Sequence, residues 1–195
     1  MILIAGDSYS DGTYVLPNGR MAKDCWTHQL EQEYKIENRA KRGVANLDIS
    51  CSQIQTYTGP AIVNLSSLVR LPICGLEIIN DGYFWNGEED ELDKPIPSRC
   101  VQREYQMRQL TKKQKQRVYK ANTTSARRMI TQLAGAYFWS PFPDYERWDG
   151  VHYIPITWGN RMYNKNLPDE GNHLTSSANS WLAQHMRNVI NERWS

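Results

Sequence analysis

Ile2-Leu3-Ile4-Ala5-Gly6-Asp7-Ser8-Tyr9-Ser10-Asp11-Gly12 runs through a block of apolar residues and stops abruptly at a small residue, an acid and a hydroxyl. Such a run reads as a strand buried on both faces, as in parallel sheets covered by helices on either side. Open parallel sheets place their ligand sites just beyond the carboxyl ends of the strands, which is where Ser8 would stand. Gly, Asp and Ser are also ordinary turn residues, so the same letters describe a simple turn.

Working outward, strand and helix signals alternate. Ala22, Trp26 and Leu30 recur at helical spacing, and residues 34–38 read as a short strand. Residues 61–65 read as a third, buried strand. A long helix is expected over 111–133, capped by Thr111, with Val118, Ala121, Ser125, Met129, Ile130 and Leu133 on one face. Residues 136–139 give a fourth strand. Leu174-Thr175-Ser176-Ser177 is a capping stretch for a last helix whose inner face carries Ala178, Trp181, Leu182, Met186, Val189 and Ile190. This alternation predicts one three-layer α/β/α domain over residues 1–195, with a mostly parallel sheet and right-handed crossovers. Residues 71–110 interrupt the pattern with Pro72, Pro95 and Pro97, an acidic run Glu88–Glu91, and Tyr83-Phe84-Trp85. An irregular excursion of this length is expected to be a lid or to carry structure of its own. Its aromatic residues would either stack on a substrate or anchor the excursion to the core.

Composition narrows the function classes. A chain of 195 residues with a formal net charge of +2 is long enough for one real core and too evenly charged to announce nucleic acid or a membrane surface as partner. Lys112, Lys113, Lys115 and Arg117 read as the solvent face of the long helix. Cys25, Cys51, Cys74 and Cys100 are scattered, with neither a Cys-x-x-Cys pair nor a His pair at zinc spacing, so neither metal nor cofactor is expected. The initial apolar run is too short for a signal peptide, and no stretch approaches membrane-spanning length. A cytoplasmic protein with reduced thiols is the default expectation.

Gly6-Asp7-Ser8 directly after an apolar strand resembles the first block of the GDSL, or SGNH, hydrolases. In that family a Leu or similar residue usually follows the Ser; here Tyr9 does. The resemblance implies a flavodoxin-like α/β/α fold and a Ser-His-Asp triad with Ser8 as nucleophile. Asn38-Arg39-Ala40-Lys41-Arg42-Gly43 is similar to the second block, which implies that the Gly43 N–H joins that of Ser8 in an oxyanion hole. Asn46 falls where some relatives carry a loop Asn that braces the site, and it is also a candidate for substrate binding. After the strand at 61–65 the family has Gly-x-Asn-Asp. Here the pattern is broken, and Ser67 falls where the oxyanion Asn would lie, with Arg70 as another donor, a substrate contact or a salt-bridge partner.

The family's last block is Asp-x-x-His, and two stretches compete for it. Asp149-Gly150-Val151-His152 matches the spacing letter for letter. Asp169-Glu170-Gly171-Asn172-His173 does not, but His173 stands immediately before a well-capped helix, as the family's catalytic His does, whereas His152 leads into an extended run. The expected triad is therefore Ser8, Asp169 and His173, with Glu170 as the alternative acid and Asp149 with His152 as the alternative pair. His28 and His185 lie inside helices. The leading expectation is a serine hydrolase of carbohydrate O-acyl esters, O-acetyl in particular, because the chain is rich in Trp and Tyr. A lipid or thioester hydrolase, which needs an apolar acyl groove, and a non-catalytic glycan-binding protein on a decayed hydrolase fold are the alternatives.

Overall fold

The computed structural model describes residues 1–11, 25–41, 44–70, 72, 110–156, 161–162 and 173–195. The excursion expected over 71–110, Gly43, Asp169 and Glu170 fall outside the described residues, apart from Pro72 and Leu110, and His173 is described through its backbone.

Five strands form one sheet: β1 (Ile2–Ala5), β2 (Ile36–Asn38), β3 (Ala61–Asn64), β4 (Tyr137–Ser140) and β5 (Val151–Tyr153), in the order β2-β1-β3-β4-β5. Every neighbouring pair is parallel, with Ile4 opposite Asn38 on one side and Ile62 on the other. This is the flavodoxin-like order of a doubly wound fold. Alternate residues of the central strands serve the two faces. Ile2, Ile4, Ile62, Tyr137 and Trp139 pack with Trp26 and Leu30 of α1 (Trp26–Glu31) and with Leu182, Met186 and Ile190 of the C-terminal helix. Leu3, Ala5, Val63 and Phe138 pack on the other face with Ile49, Ala126, Met129 and Leu133. Three layers result, as the alternation of strands and helices predicts.

A short helical segment, α2 (Asn46–Asp48), continues as a π-helical turn over Ile49–Gln53. The long helix α3 (Lys112–Gln132) begins at a capping box: Thr111 Oγ1 accepts from the Gln114 N–H at 3.3 Å, and Gln114 Oε1 accepts from the Thr111 N–H at 2.8 Å. The helix α4 (Ser176–Trp194) is capped by Thr175, whose hydroxyl accepts from the Ala178 N–H at 3.3 Å. Two further strands, β6 (Arg161–Met162) and β7 (His173–Leu174), pair antiparallel, with Met162 opposite His173. One residue departs from the expected helix face: Trp181 is 57% exposed, and Asn179 and Ala183 are buried instead.

The chain leaves β1 through Gly6, at φ +146°, a backbone region closed to most side chains. A Cβ there would lie 2.7 Å from Asn64 Cβ and 2.9 Å from the Asn64 carbonyl oxygen at the end of β3. Gly6→Ala is therefore expected to destabilise the protein by about 2–4 kcal/mol, from backbone strain and overpacking together. Urea unfolding of the variant against wild type measures this, and an unchanged midpoint would contradict the close approach.

Candidate active site

Ser8 stands half-buried in the turn that follows Gly6 and Asp7 at the carboxyl edge of β1. The Asp7 carbonyl accepts from the N–H groups of Ser10 at 3.0 Å and Asp11 at 3.1 Å, which closes the turn around Ser8. Gln53, at the end of the π-helical turn, holds Gly6 from both sides: its Oε1 accepts from the Gly6 N–H at 2.7 Å and its Nε2 donates to the Gly6 carbonyl at 3.1 Å. Asn38, the last residue of β2, donates from Nδ2 to the Ser10 carbonyl at 3.0 Å. The serine turn is thus fastened at both ends by carboxamides from neighbouring elements.

Asp7 lies under this turn with no exposed surface. Its Oδ1 accepts from the Tyr9 N–H at 3.1 Å, and its Oδ2 lies 3.7 Å from Nη2 of Arg70 without a full hydrogen bond. Burial pushes the carboxyl above the usual carboxylate range, and the Arg70 guanidinium, the Tyr9 N–H and the nearby Ser66 hydroxyl pull against that rise. Arg70 remains partly exposed, with 24% of its side chain accessible, so it can meet a ligand above Asp7.

The segment after β3 is clamped by its backbone. Ser66 donates its N–H to Asn46 Oδ1 at 2.9 Å, and its carbonyl accepts from Asn46 Nδ2 at 2.9 Å and from the Tyr145 hydroxyl at 2.8 Å. Asn46 Nδ2 also donates to the Tyr145 hydroxyl at 2.6 Å. Asn46 is completely buried and its amide is fully engaged. The substrate contact expected of it does not fit, and its role is to brace Ser66. Burial pushes the Tyr145 hydroxyl far above its ordinary value, which keeps it a neutral donor. Ser67 donates its hydroxyl to Asp144 Oδ2 at 3.3 Å, so the oxyanion donor expected at that position is already held by a carboxylate. Asn122 of α3 ties the same loop down, donating to the carbonyls of Leu68 at 2.9 Å and Arg70 at 2.7 Å.

The two histidine motifs separate in space. Asp149 is exposed and precedes β5, at the amino edge of the sheet, whereas Ser8 follows β1 at the carboxyl edge. His152 lies on β5, three strand spacings from β1 in the sheet order, or roughly 14 Å at the spacing of parallel strands. Its ring stacks on Tyr137 with centroids 4.3 Å apart. The alternative pair is therefore not brought to Ser8: neighbourhood in sequence across a strand start puts the acid at the wrong edge.

An indirect chain of hydrogen bonds, through Trp26 and Asn179, links the serine turn to the segment after His173. Tyr9 accepts at its carbonyl from Nε1 of Trp26 at 2.7 Å. The Trp26 N–H donates to Asn179 Oδ1 at 3.0 Å, and Asn179 Nδ2 donates to the carbonyls of Leu174 and Thr175, both at 3.3 Å. Leu174, Tyr9 and Trp26 share one core cluster. Of the residues that build this edge, Gln53, Tyr145, Asp144, Asn122 and Asn179 carry no motif. Their partners lie up to 153 residues away, and no local spacing reveals them. Among the described residues, no group of three His, Cys, Asp or Glu side chains is placed to hold a metal ion, and no helix is long and apolar enough to cross a membrane.

The molecule is a doubly wound α/β protein with a serine turn at the point where its strand order reverses, between β1 and β3. Solved structures similar to it include a carbohydrate esterase whose active site displays divergent catalytic and non-catalytic binding functions, at 12% identity and a TM-score of 0.49, over 100% of this chain and 65% of that one. They also include an extracellular lipase from Streptomyces rimosus, at 13% identity and a TM-score of 0.40, over 98% of each chain. The chain spans about two thirds of the length of that esterase. No family model and no curated protein matches the sequence.

His152 and His185 form a cluster of their own on the far side of the sheet from α3. Tyr137, whose hydroxyl is pushed up to about 12 by burial, meets His185 Nε2 at 2.8 Å, and Arg193 lies over the Tyr137 ring. Burial lowers both imidazoles below their usual value of 6.5; Arg193 and His185 lower His152 further, while Glu192 opposes the shift of His185. Folding thus favours the neutral rings. Their contribution is complete above about pH 6.5 and is lost as pH falls through the lowered folded values, because the unfolded chain takes up protons first. Between about pH 7.5 and about pH 5, wild type is expected to lose more thermal stability than the double variant His152→Gln/His185→Gln. Melting temperatures across that range check this, and parallel curves would refute it.

Proposed function

We propose that this protein is a serine ester hydrolase with Ser8 as nucleophile, His173 as general base and Asp169 as the carboxylate that orients it, Glu170 being the alternative acid. The observation that carries the reading is the position of Ser8: a half-buried hydroxyl in a braced turn at the carboxyl edge of β1, beside the β1/β3 crevice where doubly wound folds bind ligands. The hydrogen-bonded path from Tyr9 through Trp26 and Asn179 to Leu174 supports His173 over His152, since it ties the residue after His173 to the serine turn.

Serine is a poor nucleophile at neutral pH without an adjacent base. His173 takes the Ser8 proton as Oγ bonds to the ester carbonyl carbon. The resulting oxyanion accepts from the N–H groups of Ser8 and Gly43. Because the Ser67 hydroxyl is held by Asp144, a third donor at that position is weakened; one such donor typically contributes about 3 kcal/mol. The C–O bond to the alcohol then breaks, and His173 returns its proton to the leaving oxygen. A water molecule repeats the sequence on the acyl-serine, releasing the carboxylic acid and restoring Ser8. Arg70 contacts the substrate above Asp7. A carbohydrate O-acyl ester is the favoured substrate class, on the strength of the aromatic content of the chain, with no cofactor required.

Ser8→Ala is expected to abolish hydrolysis of p-nitrophenyl acetate and labelling by a fluorophosphonate probe while leaving thermal unfolding unchanged. His173→Ala should lower kcat by at least about 10³-fold, as loss of a triad member does elsewhere. His152→Ala should stay within a few-fold of wild type, and Asp169→Asn should cost more than Glu170→Gln. A dead His152→Ala beside an active His173→Ala overturns the base assignment. A wild-type protein inert to every ester and to the probe favours the non-catalytic glycan-binding alternative.

A further inference from the structure

The long helix α3 carries Lys112, Lys113, Lys115, Arg117, Lys120, Arg127 and Arg128 and no acidic residue, in a chain whose formal net charge is only +2. All of them but Arg117 are exposed. With no Asp or Glu in the helix, no ion pair at i, i+4 spacing neutralises them from within. Solubility is served by both signs interspersed, so a helix of one sign makes a directed field on an otherwise balanced protein.

The cations are also ordered. Lys113, Lys120 and Arg127 recur every seventh residue, close to two full turns, so they fall on one line along the helix. That line lies opposite Val118, Asn122, Ser125, Ala126 and Met129, the residues the helix buries. At a rise of about 1.5 Å per residue its members stand roughly 10 Å apart. The Arg127 guanidinium lies over the Trp148 ring, 5.4 Å from the centroid, which fixes one end of the line. Direction follows from the topology. α3 ends just before β4 begins at the amino edge of the sheet, so it starts at the carboxyl edge. Asn122, midway along, already meets the carbonyls of Leu68 and Arg70 beyond the end of β3. The line of cations therefore leads toward the edge that carries Ser8.

Spacing and surroundings select among polyanions. A helix that lies on a lipid surface inserts an apolar face, and that of α3, with Ala126 and Met129, is packed in the core. Double-stranded DNA carries a charge every ~1.7 Å, several times denser than this line. An extended polysaccharide with an acidic group on every second sugar presents its charges at nearly the interval of the line.

We propose that α3 is a docking strip for an acidic polysaccharide with one acidic group per disaccharide, the polymer lying along Lys113, Lys120 and Arg127. The docking stands independently of the ester hydrolase reading; only its use, bringing ester groups of the polymer to the edge that holds Ser8, rests on that reading. Hyaluronan, with one carboxylate per disaccharide, is the probe. Calorimetry at low ionic strength should show binding to the full chain that weakens as salt is raised. Lys113→Gln/Lys120→Gln/Arg127→Gln should weaken it at least about tenfold. The charge-matched variant Lys35→Gln/Lys41→Gln/Arg193→Gln, on exposed residues elsewhere, should stay within about twofold. Lys113→Glu/Lys120→Glu, which leaves Arg127 on Trp148, should abolish binding without lowering the melting temperature. No binding to hyaluronan, equal binding to neutral dextran, or equal losses in the two triple variants overturns the proposal. Tighter binding to a DNA duplex or to phosphatidylserine vesicles at the same ionic strength overturns it in favour of that partner. Hyaluronan binding through the strip by a protein that hydrolyses no ester keeps the strip and refutes the hydrolase. Ester hydrolysis without hyaluronan binding does the reverse.

Discussion

The approach of Gly6 to Asn64 is the contact on which the rest of the edge depends. It brings the ends of β1 and β3 so close that no side chain fits between them, and it forces the backbone into a region that glycine alone enters easily. Gln53 fixes the arrangement by pairing both backbone groups of Gly6, whose carbonyl also accepts from the Lys41 N–H at 3.1 Å. Everything after Gly6 inherits its direction from that point. The Asp7 carboxylate goes inward, the chain turns, and Ser8 is left at the mouth of the crevice.

The same economy recurs at the end of β3, where a single backbone unit, that of Ser66, is held by Asn46 and Tyr145 together. Buried hydrogen bonds of this sort are worth most for what their loss would cost, since an orphaned polar group in the interior is expensive. They explain why a loop following a strand keeps one position without regular structure. They also separate two kinds of residue that look alike in a sequence: Asn46 is buried and braces Ser66, whereas the Arg70 side chain is partly exposed.

How much of this is legible beforehand depends on whether the signal is local. The four expected strands occur within a residue or two of their places; β1, β3 and β4 are buried on both faces, which leaves a continuous apolar pattern, whereas β2 is a half-buried edge strand. Thr111 caps the long helix as expected, and Thr175, within the capping stretch Leu174–Ser177, caps the C-terminal one, since a cap needs only its own first turn. Trp181 misleads because helical spacing marks a face without saying how far it extends. Its ring stacks flat on His185, with centroids 5.6 Å apart, instead of entering the core. Asp149 and His152 illustrate a different limit. Their spacing suits a turn leading into a helix, but a strand begins between them and carries the imidazole away from the acid's edge. Gln53 and Tyr145 were invisible for a simpler reason: a buried side chain bonded to backbone 47 or 79 residues distant leaves no periodic trace.

The position of β1 has a consequence for biosynthesis. This first strand is the interior strand on which β2 and β3 both pair, yet one of its faces is covered by α4, residues 176–194. While the ribosome is still translating the middle of the chain, Ile2 and Ile4 can find α1 but not Leu182, Met186 or Ile190. The part of that face not covered by α1 must therefore wait for α4, during which time it is open to other nascent chains. Contacts spanning nearly the whole sequence also slow closure, since they are rewarded only after the longest loops are formed. Docking of α4 onto this face is therefore expected to be a late step in folding, after β1 has paired with β3.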